Sequence, residues 1–382
     1  DEHLYLTSLG ILNLQDRQGV ALFIRRDEFE RFLSCLVFIP RDLYDTDLRQ
    51  RIQAILEGSF GGEMSAYYTQ LEDSPLARLH MIIQTPPGRI KAYDADAIET
   101  RLVDAARSWT DLMEDALVRE HGEERGLGLL HRYRKAFPPG YKERSDAAIA
   151  IADIACLEHT IASGELGMDL YRSSGAAANQ IRFKIYNPHH EVPLSDVLPM
   201  LEHMGLKVMD EIPHAIQPRA EGFEQIMIHD FGLETRDGSE VNPGAVHQKF
   251  QDAFIGVWRG EMESDGFNGL VLGAGLTWRQ VVILRTYCKY LRQAGIPFSQ
   301  AYMEQTLANH PGLARLIVDL FVTLFDPAGA ATAVRRARRI QDKLNQGLEL
   351  VESADEDRIL RRFHNVVEAT LRTNYFQPAA DG

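Results

Sequence analysis

Few residues in this sequence have the types and spacing that chemistry requires. His189-His190-Glu191 offers metal-ligand types, but neighbouring residues on an extended chain point to opposite sides, so a solvated loop is favoured. Gly273-Ala274-Gly275 comes nearest to a dinucleotide-binding motif, yet Trp278 stands at the third glycine's place and no strand precedes it. Carboxylates are plentiful, but no spacing singles out an acid–base pair. We therefore expect no catalytic residue, no metal and no cofactor within these residues.

The concentrated basic stretch is Arg335-Arg336-Ala337-Arg338-Arg339. On a helix these arginines spread around more than one face. With 41 basic and 55 acidic residues, the chain has a net charge of −14, which disfavours a broad phosphate-binding surface. A solvated or interdomain-pairing role is therefore favoured over nucleic-acid binding, and no membrane contact is expected.

Composition indicates an ordinary globular protein of two to three domains. The 382 residues are 45% hydrophobic and 25% charged. The apolar stretches are short; the stretch 315–325, for example, is interrupted by Asp319. Cys35, Cys156 and Cys288 are widely spaced, which excludes a disulfide framework and indicates a reducing, cytoplasmic location. Because the chain lacks a starting Met, we expect an internal piece of a longer protein.

Residues 1–92 are predicted to form a small α+β unit. Leu36-Val37-Phe38-Ile39 is a continuous apolar run, typical of a buried strand. A helix with Leu48, Ile52 and Leu56 on one face follows and stops at Gly58. Strands at 64–71 and 79–83 complete a β-α-β-β series.

A second β-α-β-β series is predicted after a helical connector. The connector spans residues 93–175, and the second unit spans 176–240, where Ile181, Phe183 and Ile185 alternate with polar residues. A helical domain follows over 241–376, and 377–382 is read as a linker or cut end. The predicted fold class is α+β: two small ferredoxin-like units connected by helices and followed by an all-helical region.

Candidate binding residues lie where the first long strand of each unit meets its helix. Free backbone N–H groups at such a junction can hold a small carboxylate. The loops contain Arg41 and Asp42 in the first unit and Asn187 and His189 in the second. These four residues are the predicted ligand-binding set for an amino-acid effector. The alternative is that the units are purely structural and join subunits through sheet edges into a homo-oligomer.

Three stretches resemble the bacterial large-type NAD-specific glutamate dehydrogenases. They are 31–42 (RFLSCLVFIPRD), 74–80 (SPLARLH), and 265–279, which opens Asp265-Gly266-Phe267-Asn268 and closes Gly275-Leu276-Thr277-Trp278-Arg279. The likeness covers essentially the whole chain. In that family, ACT-like domains and helical motifs precede the catalytic domain, so the two α+β units look like ACT-like domains.

The resemblance implies that the parent protein oxidises L-glutamate to 2-oxoglutarate and ammonia with NAD. It also implies that the family's substrate lysines and nucleotide fold lie beyond this chain. This region is then expected to regulate and assemble the enzyme, with the catalytic domain of the same chain as its partner. The alternative is an amino-acid-sensing ACT-type module.

Overall fold

A computed structural model describes residues 8–11, 14, 19–71, 74–86, 90–188 and 192–377. The chain divides into two compact units, residues 1–131 with 145–151, and residues 132–144 with 152–382. Each unit contains one four-stranded antiparallel sheet. Within the described ranges, no helix is both long and apolar enough to cross a membrane.

Sheet 1, in the first unit, consists of two β-hairpins whose inner strands pair. Side chains of its central strands alternate in burial; Leu33, Cys35 and Val37 are fully buried, whereas the residues between them are half-buried. The strand order is β1-β2-β4-β3. The strands are β1 (Ala21–Arg26), β2 (Phe32–Pro40), β3 (Glu63–Gln70) and β4 (Leu76–Gln84).

Two helices, α1 (Thr46–Phe60) and α2 (Ala95–Ala105), cover one face of sheet 1. Helix α1 begins where the Asp45 carboxylate accepts a hydrogen bond from the backbone N–H of Leu48, and it ends at Gly61, whose φ of 67° is left-handed. Each large side chain buried between the layers stabilises the unit by about 1.5–3 kcal/mol. They include Leu48, Ile52, Leu56, Phe60, Ile98 and Leu102 from the helices and Leu79, Met81 and Ile83 from the sheet.

The helices predicted between the sheets are present. Helix α3 starts with a capping box, in which the Ser108 hydroxyl accepts from the Asp111 N–H and the Asp111 carboxylate accepts from the Ser108 N–H. The helices are α3 (Trp109–His121), α4 (Glu123–Tyr133), α5 (Pro139–Lys142) and α6 (Ala147–Ser163).

Sheet 2, in the second unit, repeats the order of sheet 1 as β5-β6-β8-β7. Its apolar face packs against helices α7 and α8, and the Phe183 ring lies 5.0 Å from the ring centroids of both Phe250 and Phe254. The strands are β5 (Gly167–Tyr171), β6 (Gln180–Asn187), β7 (Leu206–Ile216) and β8 (Ile226–Thr235), and the helices are α7 (Leu194–His203) and α8 (Pro243–Trp258).

The opposite face of sheet 2 holds a buried ion pair. Lys184 Nζ lies 2.7 Å from Asp153 Oδ1, and the two side chains are 4% and 1% exposed. The Tyr186 hydroxyl donates to the same oxygen at 2.7 Å, and the Tyr141 hydroxyl donates to Oδ2. Burial and the Asp153 charge raise the pKa of Tyr186, which keeps this donor protonated. These partners offset the cost of desolvating the carboxylate. Because Asp153 belongs to α6, this helix lies on the second face of sheet 2, and the sheet is covered on both faces.

Each sheet belongs to a longer series than the sequence indicates. A strand precedes the predicted β-α-β-β order and a helix follows it, which gives β-β-α-β-β-α twice. In each unit, the added strand pairs with the first long strand, and the added helix packs on the added strand. Strand β5 is only five residues long, and it lies in the stretch predicted as helical connector. The fold class, two small α+β units followed by helices, is confirmed.

The remainder of the second unit is helical and shares one hydrophobic core with sheet 2. A 3-10 turn, Gly266–Gly269, comes first. Helix α10 starts with a capping box between Thr277 and Gln280, as its sequence suggests. The helices are α9 (Leu270–Gly273), α10 (Trp278–Gln293), α11 (Gln300–Asn309), α12 (Pro311–Phe325), α13 (Ala333–Leu348) and α14 (Ala354–Ala369).

Candidate functional site

The predicted binding residues Arg41 and Asp42 lie in a 3-10 turn between β2 and α1 and are exposed. The Arg41 N–H donates to the Pro75 carbonyl at 2.9 Å, which ties the turn to the start of β4. At the helix start itself, the Asp45 carboxylate already accepts the Leu48 N–H at 2.7 Å. A ligand carboxylate at this end of α1 would meet that negative charge.

In the second unit, Asn187 is the half-buried last residue of β6, and His189 lies outside the described residues. The Val192 N–H donates to His229 Nε2 at 3.3 Å. His229 is 5% exposed, and its Nδ1 lies 2.9 Å from Glu211 Oε1. Helix α7 thus starts from a position anchored to β8. Asn187 and the pair Arg41 and Asp42 belong to different units, and each loop stands as a separate candidate.

A polar cleft of about 440 Å³ opens at the other end of sheet 2. Ser173 and Ser174, in the β5–β6 loop, form one side of the cleft, and Asp210 and Glu234 line it from β7 and β8. A β-bulge in β7 shifts the register next to Asp210. A Cβ on Gly232 would lie 2.4 Å from Asp210 Oδ2, so glycine is required for this carboxylate to lie against β8.

The charged floor of the cleft is Arg182 on β6. Its Nε lies 2.9 Å from Asp230 Oδ1, and its Nη2 lies 3.0 Å from Asp210 Oδ1. Burial lowers the pKa of this guanidinium, but the Asp230 charge and the hydrogen bonds to both carboxylates more than offset burial and raise it. Arg182, Asp210 and Glu234 are the charged residues that line the cleft, which leaves one excess negative charge. Such a cleft suits a ligand with an ammonium group.

A second constellation holds the turn Asp265-Gly266-Phe267-Asn268. Arg285, 4% exposed on α10, grips Asp265 through two bonds, with Nε to Oδ2 at 2.7 Å and Nη2 to Oδ1 at 2.8 Å. Its Nη2 also donates to Asn268 Oδ1 at 2.6 Å. The Glu304 carboxylate accepts the Gly266 N–H at 3.2 Å, where any Cβ would collide with it. The buried guanidinium therefore bonds Asp265 and Asn268 together, and it holds the turn in one conformation.

The locked turn packs against the C-terminal end of α7. A Cβ on Gly269 would lie in ordinary van der Waals contact with the Gly205 backbone N, at 3.6 Å, and Gly205 itself has a left-handed φ of 83°. His203 Nδ1 lies 2.9 Å from the Ser264 hydroxyl. These close backbone contacts join the α+β part of the unit to its helices.

Helix α14 and the chain after it complete the same core. The Tyr287 hydroxyl lies 2.8 Å from the Thr370 hydroxyl, just beyond α14. The Phe321 ring on α12 lies 5.6 Å from the Tyr375 ring and 6.3 Å from the Phe376 ring. The last described residues are thus held by α10 and α12.

Residues suited to covalent or metal chemistry are not assembled in the described part of the chain. Burial raises the pKa of the Cys35 thiol to about 12 and those of Cys156 and Cys288 to about 11, so none is a thiolate at neutral pH. No group of three His, Cys, Asp or Glu side chains within the described ranges is placed to hold a metal ion.

Five family models match successive parts of the chain, and all describe glutamate dehydrogenase. They are the ACT2 domain over residues 21–110, helical motif 2 over 116–159, the ACT3 domain over 165–246, helical motif 3 over 262–327, and the bacterial NAD-glutamate dehydrogenase catalytic domain over 343–382. The chain belongs to the bacterial large NAD-specific glutamate dehydrogenase family. The resemblance that the sequence motifs suggest is thereby confirmed.

Relatives in this family align along nearly the whole chain. NAD-specific glutamate dehydrogenases of Halomonas elongata and Pseudomonas aeruginosa are 38% and 35% identical over all of it. The enzyme of Mycobacterium tuberculosis is 35% identical over 98%. The chain spans only about a quarter of these relatives, 23–24% of their length.

The domain models account for the added elements. The ACT2 match includes β1 and α2, and the ACT3 match includes β5 and the start of α8. The catalytic-domain match begins inside α13 and includes all of α14, within the stretch predicted as one helical domain, 241–376.

Sequence reasoning did not single out Arg285 or Arg182. Arg285 lies in a helix whose period marks it only as another polar position, although its partners are the motif residues Asp265 and Asn268. The sequence signal that could have indicated Arg285 is an arginine that follows a strongly polar turn motif by one or two helices. Arg182 stood out only as a polar residue of an alternating strand.

Replacing Arg285 by Lys should destabilise the second unit by about 2–4 kcal/mol, because Lys keeps the charge but lacks the planar fork that bonds both oxygens of Asp265. Urea unfolding followed by the fluorescence of Trp258 and Trp278 measures this loss. The control is Arg292→Lys in the same helix, an exposed residue with one long bond to Gln300. Equal unfolding midpoints for the two variants would contradict a stabilising role of the Arg285 bonds to Asp265 and Asn268.

Proposed function

We propose that this chain is the regulatory and assembly region of a large NAD-dependent glutamate dehydrogenase and is not itself catalytic. The parent enzyme would oxidise L-glutamate to 2-oxoglutarate and ammonia, with hydride passing to NAD. Membership of the family supports the parent reaction, and the matches to two ACT domains and two helical motifs support a regulatory role for this region. Three free cysteines suit a reducing, cytoplasmic location.

The observation that carries the proposal is the single core of the second unit. Phe183 of sheet 2, Leu284 of α10 and Phe363 of α14 are all fully buried in it. Phe183 lies in the ACT3 match, Leu284 in the helical motif 3 match and Phe363 in the catalytic-domain match. A displacement at the sheet must therefore be accommodated by the first helices of the catalytic domain, because close-packed interiors transmit strain.

The contacts between sheet 2 and α14 favour a few discrete positions of these helices over gradual deformation. Helix α7 meets the turn at Gly269 through backbone contact, and the turn is fixed to α10 by Arg285. Helix α10 then holds the end of α14 through Tyr287. Each step is a packed or hydrogen-bonded contact, and such elements can bias a two-state equilibrium from one end to the other.

Amino-acid sensing is the second candidate function, and the cleft on sheet 2 favours it. An α-amino acid could place its ammonium group between Asp210 and Glu234 and its carboxylate near the hydroxyls of Ser173 and Ser174. The volume of about 440 Å³ is within the usual range of small-molecule sites. The loops of Arg41, Asp42, Asn187 and His189 stay the alternative location for the same ligand.

In the intact enzyme, Tyr287→Phe should lower kcat by about two- to tenfold and leave KM for glutamate unchanged. The variant removes one hydrogen bond to Thr370, worth about 0.5–1.5 kcal/mol, and loosens the end of α14 inside the catalytic-domain match. NADH formation under saturating substrate measures kcat. Thr286→Val, which removes only a bond within α10, is the control. An unchanged kcat for Tyr287→Phe would contradict the coupling.

Calorimetric titration of the chain with the twenty amino acids tests the sensing function. Heat is expected for at least one of them, and Asp210→Asn with Glu234→Gln should abolish it because both ammonium acceptors lose their charge. Arg41→Gln with Asp42→Asn is the matched pair for the predicted loop. If only the Arg41→Gln, Asp42→Asn variant loses binding, the site lies in the loop. If none of the twenty amino acids gives heat, the sensing function is refuted.

A further inference from the structure

Helix α13 carries four exposed arginines that the fold does not use. Arg335, Arg336, Arg338 and Arg339 are all exposed. Among the described residues, none of the four has an ion pair or a side-chain hydrogen bond. They lie at 335–339, between the helical motif 3 match, which ends at 327, and the catalytic-domain match, which begins at 343.

Four arginines at the start of a helix destabilise that helix. Helix α13 starts at Ala333, so the arginines occupy its first two turns, where the helix dipole disfavours positive charge. Arg335 and Arg339 are also four residues apart on the same side, which adds like-charge repulsion. The sequence predicts that the arginines spread around more than one face, but in the structure all four are exposed and share the outer side, opposite the buried Ala337 and Leu344. A local rule broken in this way, with no compensating ion pair among the described residues, indicates a partner that supplies negative charge.

A complementary surface exists on the chain itself. Residues 94–125 contain ten Asp and Glu against four Arg, a net charge of −6 out of the −14 of the whole chain. Helices α3 and α4 carry much of it. Glu120, Glu123 and Glu124 are exposed, and within the described ranges they have no ion pair.

We infer that the arginine face of α13 binds the acidic end of α3 and start of α4 on a second copy of this chain. Charge complementarity selects the occupant, because each copy carries one strongly basic helix face and one strongly acidic one. Each contact pairs α13 of one copy with α3 and α4 of the other, and it either closes reciprocally as a twofold dimer or continues head-to-tail into rings or chains of copies. Several weak exposed pairs act together, since a single one contributes little.

Sedimentation velocity of the 382-residue chain tests this contact. Self-association is expected at about 0.1 M NaCl and a loss of at least tenfold in affinity at about 1 M, where the screening length falls from about 10 Å to about 3 Å. Arg338→Glu with Arg339→Glu should weaken association by at least tenfold. Arg219→Glu with Arg372→Glu makes the same charge change at two other exposed arginines without an ion pair and should leave it unchanged.

Charge exchange separates this contact from a loss of folding. Adding Glu120→Lys and Glu124→Lys to the double α13 variant should restore most of the affinity, which no unfolded variant would do. A chain that stays monomeric at about 100 μM and 0.1 M salt would overturn the inference. So would association that the α13 variant leaves unchanged, or a monomer whose α13 arginines bind an anionic polymer instead.

Discussion

Sheet 2 must be covered on both faces, and the second unit is organised by this constraint. One face is apolar and needs helices, while the other carries Lys184 and Tyr186, which are buried and need polar partners. Helices α7 and α8 satisfy the first need, and Asp153 of α6 satisfies the second. Because α8 faces both the sheet and α10, covering the sheet also extends its core into the helices that follow. Regulation through that core is therefore a consequence of how a small sheet is buried.

Polar contacts within that core determine how its helices are placed. Hydrophobic burial would accept several arrangements of α10 against the turn at 265–269. The fork of Arg285 accepts one, because it must meet both oxygens of Asp265 and the amide oxygen of Asn268 together. This explains why the polar residues of the motif accompany its apolar ones. The same logic applies to Asp153, whose several donors admit a single placement of α6 on sheet 2.

The parts of the fold that the sequence predicts are those with a strong local period. The apolar run at 36–39 and the alternation around Phe183 mark β2 and β6, and the spacing of Leu48 and Ile52 marks α1. Strands β1 and β5 are not predicted from the sequence, because short edge strands have little pattern of their own. The cleft depends on a bulge beside Asp210 and on its contact with Gly232 from another strand, which no local pattern encodes. The predicted binding residues remain a hypothesis for the loops that carry them.

Hydrogen exchange of the whole chain tests the central claim, that ACT3, helical motif 3 and the first catalytic-domain helices form one cooperative unit. The account predicts that amides in β6, β8 and the middle of α14 open with the same free energy within about 1 kcal/mol. Destabilising sheet 2 should then lower protection in α14 equally. Exchange of α14 through an opening about 3 kcal/mol smaller, with sheet 2 still protected, would contradict the account.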